Sequence, residues 1–196
     1  MQNEQRRFKM KNVKGKVFYT LVNYESNKAL AEKIPHVKIH GLMMVFQYVL
    51  KNTSKELSAK LVTNEDLAKW EITKDQLLLE AKETTPKLFV SELQQIGLRS
   101  SGKALPVYNL TTENGTNGVA VLFYDNELKR IAKKIGSGFY VVATDQDSCF
   151  LLAQPEGEDY DKINKTFATG NAFCNKIFYY DPEEDKLRIA RKSKAK

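Results

Sequence analysis

The chain has 196 residues, of which 42% are hydrophobic and 28% charged, a composition typical of one globular domain that excludes a disordered chain. Its longest apolar stretch, which begins at Gly41, is far shorter than the roughly 20 residues that span a bilayer, so we expect no membrane partner. The formal net charge of +7 suggests a polyanionic partner, and the location of that charge is informative.

The positive charge lies at the two ends of the chain. Residues 1–16 have a net charge of +5 and residues 186–196 a net charge of +6, which leaves −4 for the residues between them. We expect residues 1–12 to be a flexible basic segment, residues 13–190 to form one domain, and residues 191–196 to be a basic tail. The side chains expected to contact a polyanion such as nucleic acid are Arg188, Arg191, Lys192 and Lys194.

The first predicted elements are extended. β-Branched and aromatic residues predict a strand over residues 16–24. Ser26 is expected to cap a short helix, which Pro35 cannot continue. Residues 36–50 are expected to be extended around Gly41, with a helix as the alternative at the apolar end.

Two helices are predicted after a further strand at residues 58–62. Thr63 or Asn64 is expected to cap a helix that runs through Trp70, and the spacing of Leu67 and Trp70 predicts a largely buried indole. A Thr-x-x-Gln capping box at residues 73–76 starts a second helix that we expect to end near Lys82.

The signals weaken between Ser91 and Lys103, and we expect a long loop there. This stretch contains G-x-x-x-x-G-K, which resembles a phosphate-binding loop, but Ala104 stands where Ser or Thr must reach magnesium. Pro106 then begins a predicted strand instead of a helix, so the motif is interpreted as a flexible loop.

The second half of the chain alternates hairpins and helices. Residues 114–118 predict a turn, in which Asn117-Gly118 suits a tight hairpin. A helix from about Leu128 ends at Gly136, and two strands then flank a polar turn. Later elements are a helix marked by Tyr160, Ile163 and Phe167 and a closing hairpin that turns at residues 181–184. Together these elements predict an α+β fold with a mostly antiparallel sheet, several hairpins and short packed helices.

The polar turn is Asp145, Gln146, Asp147 and Ser148, the residues that we single out as a possible site. Two carboxylates and a hydroxyl suit a cation, but a calcium loop also needs a glycine and a distal Glu, which this chain lacks there. A hairpin tip in which Asp accepts hydrogen bonds from its own backbone explains the same residues.

The residues available for metal binding or catalysis are few. His36 and His40 are the only histidines, and in an extended segment they lie too far apart to share an ion. Cys149 and Cys174 are expected to be buried, reduced thiols. We therefore predict no metal, no cofactor and no hydrolytic or transferase activity, although a Ser-His-Asp or Cys-His arrangement assembled by the fold stays open.

The stretches at residues 16–37, 61–86, 117–142 and 177–190 resemble a family of uncharacterised proteins from gut Firmicutes, domain-of-unknown-function family 5688. The Asn-x-x-Leu-x-x-Trp segment ending at Trp70 is the most specific part of this resemblance, and a fainter one links the chain to YtpQ-like proteins. Family members usually carry a further N-terminal region, so the chain resembles their C-terminal portion. Members also tend to show a Pro-Ser-Ser…His-Glu-like stretch where this chain has residues 143–148. The resemblance implies a fold and no activity.

These observations lead to one expected function and two alternatives. We expect a bacterial, cytoplasmic, non-enzymatic protein-interaction module whose partner is another protein. The first alternative is nucleic-acid association through the basic termini. The second is a hydrolase whose site is not visible in the sequence.

Overall fold

The elements of the chain combine helices with antiparallel strands, which confirms the predicted α+β fold. The structure is a computed structural model that describes residues 13–53, 56–100, 103–154, 156–157, 159–171 and 173–192. The chain divides into two compact units, one ending at Leu88 and the other beginning at Phe89. The single domain expected over residues 13–190 stays a prediction, and both the segment 1–12 and Lys194 lie outside the described residues.

The first unit is built on an antiparallel sheet. Its strands are β1 (Val17–Asn23), β2 (His36–Ile39), β3 (Leu42–Thr53) and β4 (Glu56–Leu61), and its helices are α1 (Lys28–Ala31), α2 (Asn64–Trp70) and α3 (Lys74–Leu88). β3 pairs with β1 on one side and with β2 and then β4 on the other. α3 packs on β1, where the Tyr19 amide donates to the Thr85 hydroxyl at 3.0 Å.

Both predicted helix starts are confirmed. The Thr63 hydroxyl accepts from the Asp66 amide at 3.1 Å, and the Asp66 carboxylate accepts from the Thr63 amide at 3.0 Å. Thr73 and Gln76 exchange the same pair of bonds before α3. These reciprocal bonds satisfy amides that have no partner inside the helix, so each helix begins where its capping box lies.

Four details of the first unit differ from expectation. The helical alternative after Gly41 is wrong, because β3 is continuous there. Ser26 is not a cap; its amide donates to the Asn23 side chain at 2.8 Å. α3 continues to Leu88, beyond the expected end near Lys82, and includes Pro86. Trp70 is half-buried instead of largely buried.

The second unit contains a six-stranded antiparallel sheet. The strands of this sheet are β5 (Ser91–Ser100), β6 (Lys103–Thr112), β7 (Phe139–Ala143), β8 (Cys149–Ala153), β9 (Ile177–Asp181) and β10 (Lys186–Ile189). The helices of the second unit are a 3₁₀ helix (Gly118–Phe123), α4 (Glu127–Ile135), α5 (Tyr160–Ile163) and a π-helical turn (Asn164–Ala168). The strand order is β10-β9-β7-β8-β6-β5. Phe139, Tyr140 and Phe178 are fully buried in its core.

The loop expected between Ser91 and Lys103 is wrong. This stretch is β5, which pairs with β6 along the whole length of both strands. β5 lies at the edge of the sheet, and Gln94 and Gln95 are exposed. An exposed edge strand needs no apolar alternation, so the pattern that reveals buried strands is weak there. The resemblance to a phosphate-binding loop therefore falls on a hairpin; residues 101–102 at its tip lie outside the described residues.

The tight hairpin expected at Asn117-Gly118 is also wrong. Asn117 does have left-handed backbone geometry, with φ of 58°, as the turn chemistry requires. The chain that follows is a 3₁₀ helix and not a strand. The other hairpins, at residues 145–148 and 181–184, lie where the sequence predicts them.

Candidate functional site

The strongest candidate site is beside α4, a strongly amphipathic helix. Leu128, Ile131 and Ala132 are buried and anchor one face of the helix. Gly136 ends the helix with φ of 85°, and its amide donates to the Ala132 carbonyl at 2.8 Å, an arrangement that glycine adopts without steric cost. The opposite face is exposed and carries four cations: Lys129, Arg130, Lys133 and Lys134.

A groove of about 660 Å³ runs along this helix. Its lining includes three small or apolar residues, namely Ala132 of α4, Gly136 at the end of α4, and Pro182 of the β9–β10 turn. The helix side of the groove is lined by Lys129, Arg130 and Lys133, and the lining is completed by Asn126 and Ser137. We call these eight residues the α4 groove. All of them belong to the second unit.

The N-terminal end of α4 is fixed by an ion pair. Arg130 donates to Glu127 from two nitrogens, Nε at 2.9 Å and Nη2 at 2.6 Å, and Glu127 also accepts from the Ser91 hydroxyl. Hydrogen bonds from Arg130 and Ser91 lower the pKa of Glu127, although its partial burial opposes them. A bidentate arginine–carboxylate pair holds the guanidinium in one orientation, so Arg130 is a rigid part of the groove wall.

The β9–β10 turn is tied to the same helix. Asp185 accepts from the buried Tyr180 hydroxyl at 2.6 Å and from Lys129 Nζ at 3.2 Å. Hydrogen bonds from Tyr180 and Lys129 lower the pKa of Asp185, while burial and the bond to Asp185 raise the pKa of Tyr180. The two walls of the groove are therefore joined through Asp185.

The cations of α4 differ in whether they have a partner within the protein. Lys133 and Lys134 are exposed and make no hydrogen bond or ion pair within the described part of the chain. Glu183 and Glu184 are exposed in the same turn as Pro182, but neither lines the groove. The Glu183 amide donates to the Asp181 carboxylate at 3.0 Å. The charged side chains that line the groove are therefore all cations, namely Lys129, Arg130 and Lys133.

The hairpin tip at Asp145, Gln146, Asp147 and Ser148 is built on hydrogen bonds of its own. Asp145 accepts from the amides of Asp147 and Ser148 at 2.8 and 2.9 Å. The tip is also docked, because the Asp147 carboxylate accepts from the Asn117 amide at 2.8 Å. The Asp147 carbonyl and the Gln146 carbonyl accept from the amides of Gly118 and Val119. Both Asp carboxylates thus orient backbone amides, which is a structural use of their oxygens.

Three of the four predicted polyanion contacts lie in the described residues, and two of them hold carboxylates. Arg188 bonds Glu156 and, at 3.4 Å, Asp181, and its side chain is only 15% exposed. Burial acts to raise the pKa of Glu156, but the bonds from Arg188 and from the Arg191 amide hold it below its ordinary value. Lys192 is exposed and pairs with Asp161 at 2.7 Å, while Lys194 lies outside the described residues.

The histidines belong to the first unit and the cysteines to the second. His36 is half-buried on β2 and His40 lies exposed in the turn that follows, with φ of 49°. Cys149 and Cys174 are free and buried, as expected, and burial raises the pKa of both thiols. Within the described residues, no three His, Cys, Asp or Glu side chains are grouped so as to hold a metal ion.

Sequence reasoning missed the α4 groove, although one signal for it was present. The segment Leu-Lys-Arg-Ile-Ala-Lys-Lys-Ile places its apolar residues on one helical face and all its cations on the other. The net charge of −4 for all the residues between the two basic ends conceals the positive charge of this one helix. The position of Pro182 beside the helix depends on the fold, because about fifty residues separate the two in the chain.

The fold and its groove define an α+β protein with two antiparallel sheets and a surface groove lined in part by cations. A family model described as a family of unknown function (DUF5688) matches residues 2–172. The chain therefore belongs to this family, as its resemblance indicated. The match includes α4 and the hairpin tip and ends before β9, so the β9–β10 turn lies outside it.

Two further findings complete the comparison. A search of curated proteins returned no match, and a search of solved structures also returned none. In the described residues, every helix is too short or too polar to cross a bilayer.

Proposed function

We propose that the chain is a non-enzymatic protein-interaction module and that its contact surface is the α4 groove. The observation that carries this proposal is an open groove lined by both apolar and cationic side chains. Protein interfaces combine an apolar centre with a polar rim, and the groove contains both kinds of side chain on a small scale. Arg130 pairs with Glu127 and Lys129 pairs with Asp185, which restricts these two lining side chains before a partner binds.

We further propose that the module works in the cytoplasm. Cys149 and Cys174 are both unpaired thiols in the structure. Unpaired buried cysteines suit a reducing compartment, where disulfides are rare.

Photo-crosslinking from the groove tests the interaction. A photoreactive residue at Pro182, which is exposed and lines the groove, should give a discrete protein adduct in producing cells. The same photoreactive residue at Lys87, in the last turn of α3, is the control. We expect the Pro182 adduct to disappear with Lys133→Glu, because that substitution reverses a charge on the groove wall. Absence of a protein adduct, or the same adduct from Lys87, would contradict the proposal.

Nucleic-acid association through the basic ends is the second candidate. The net charges of residues 1–16 and 186–196 favour it. The groove itself offers a nucleic acid only cations, because none of the eight lining residues is aromatic and able to stack a base. The full chain and a form lacking residues 1–12 and 193–196 can be titrated with single-stranded and duplex DNA at two salt concentrations. Salt-sensitive binding by the full chain alone would support the second candidate, and equal binding by both forms would exclude residues 1–12 and 193–196 as the contact.

A further inference from the structure

The α4 groove carries charge of one sign. The eight described residues that line it include Lys129, Arg130 and Lys133 but no carboxylate. Lys133 is exposed and makes no hydrogen bond or ion pair in the described part of the chain. Lys129 gives one donor of its ammonium group to Asp185 in an exposed pair, and its other two donors can bond a second carboxylate. The groove is therefore complementary to a partner that carries at least two negative charges.

The spacing of the two lysines matches the spacing of side chains in an extended peptide. Residues four apart share one face of a helix, so Lys129 and Lys133 are separated by about 6 Å along the axis of α4. Alternate side chains of an extended chain point to the same side and are about 7 Å apart. Two carboxylates separated by one residue can therefore reach both lysines at once.

The apolar part of the lining favours a peptide over a bare polyanion. Ala132 and Pro182 line the same groove as the lysines, and Gly136 at the end of α4 adds no side chain that would fill it. The next alternate position of an extended peptide lies about 7 Å beyond the second carboxylate, which is close to one further helical turn. An apolar side chain at that position would be removed from water beside Gly136, which favours binding.

We propose that the partner of the α4 groove is a protein that binds through an extended acidic segment, in which alternate residues are acidic, acidic and apolar. This inference rests on the proposed function and specifies the chemistry of its partner. The two carboxylates contact Lys129 and Lys133, and the apolar side chain lies beside Gly136. A groove of about 660 Å³ is within the range of sites for small ligands, so a short segment fills it. Exposed ion pairs add little to affinity, so the complex is weak and sensitive to salt.

A synthetic peptide tests this inference directly. The sequence Leu-Ala-Glu-Ala-Glu-Ala-Leu, acetylated and amidated at its ends, has the proposed pattern in either direction along α4 and no charge besides its two glutamates. Titrated into the full chain at low salt, it should give saturable shifts of amide NMR signals, largest for residues 126–137, with a dissociation constant of about 1 mM. High salt should weaken binding. Replacing both glutamates by glutamine should weaken it by about tenfold or more, and replacing both leucines by serine should weaken it severalfold.

Charge reversal in the protein locates the contact. Lys133→Glu should weaken peptide binding by about tenfold, since it replaces an attraction by a repulsion. Lys134→Glu is the matched control: it makes the same change in net charge on the same helix at a residue that does not line the groove, and should change affinity by less than about twofold. Two further peptides each carry lysine in place of one glutamate. One of them should bind the Lys133→Glu variant more tightly than the original peptide does, a recovery that loss of folding cannot produce.

The possible results separate this inference from the proposed function. No saturable shift at peptide concentrations up to about 10 mM, equal losses in Lys133→Glu and Lys134→Glu, or no recovery with either lysine peptide would each overturn the inference. A single-stranded oligonucleotide that shifts the same signals at lower concentration than the peptide would overturn it in favour of nucleic acid. If the peptide does not bind but the Pro182 crosslink to a protein forms, the proposed function stands with a different kind of partner. Absence of both would refute both.

Discussion

Replacing Gly118 by alanine should strongly destabilise the docking of the hairpin tip. A methyl group added to Gly118 would lie 2.2 Å from the Asp147 carbonyl oxygen and 2.8 Å from the Thr111 Cα atom. Both atoms belong to the backbone, so the clash can be relieved only by moving the tip away from the 3₁₀ helix. Such a movement also lengthens the bond from the Gly118 amide to the Asp147 carbonyl, now 3.1 Å.

The size of the effect follows from these two costs. Overpacking a tight site costs about 1–3 kcal/mol, and a lost hydrogen bond adds about 1 kcal/mol. The free energy of unfolding should therefore fall by about 2–4 kcal/mol, which corresponds to a lower urea midpoint by on the order of 1–2 M. Far-UV circular dichroism during urea titration measures this change, and Trp70 fluorescence reports separately on the first unit.

Gly97→Ala is the matched control. An added methyl group at Gly97 has nothing within 4 Å, and the residue lies in the exposed edge strand β5. Its urea midpoint should therefore stay close to that of the wild type. Equal destabilisation by both substitutions would refute the reasoning, because the close approach of the Asp147 carbonyl would then have no energetic consequence. A normal midpoint for Gly118→Ala would refute it as well.

Three further predictions concern other contacts. Thr63→Ala removes the cap of α2 and should lower the free energy of unfolding by about 1 kcal/mol, as measured by thermal denaturation. Thr53→Ala, at the exposed end of β3, is the control and should lower the free energy of unfolding by less. Glu156→Gln should cost about 1–3 kcal/mol at pH 7, because it removes a charged partner of the largely buried Arg188. The pKa of Glu156 is lowered in the folded protein, so its contribution is present above the unfolded pKa and lost as pH falls through the folded one. The difference between wild type and variant should shrink at acidic pH, and a constant difference would contradict the assignment. Trp70 is half-buried against Tyr48, with ring centroids 5.2 Å apart. Its fluorescence emission maximum should therefore lie between those of buried and solvated indole, and it should shift to the red in Tyr48→Ala. An emission maximum of fully solvated indole in the wild type would contradict this packing.

The parts of the fold that could be predicted are those with strong local chemistry. The capping boxes at Thr63 and Thr73 mark the starts of α2 and α3, since their side chains satisfy amides that only a helix start leaves free. Gly136 marks the end of α4 for a similarly local reason. β5 could not be predicted in this way, because an exposed edge strand is held by pairing with β6 and needs no apolar alternation.

The candidate site shows the same division between local and long-range information. The basic face of α4 follows from helical spacing, so its cations could have been grouped from the sequence alone. The remaining side of the groove comes from Pro182 in the β9–β10 turn, and Asp185 of the same turn bonds Lys129 of the helix. Contacts between residues distant in sequence also change the role expected of Arg188. The sequence suggests that this cation can bind a polyanion, but in the structure it pairs with Glu156 and Asp181. A cation's availability to a partner therefore depends on which carboxylates the fold places beside it, and by that criterion Lys133 is available where Arg188 is not.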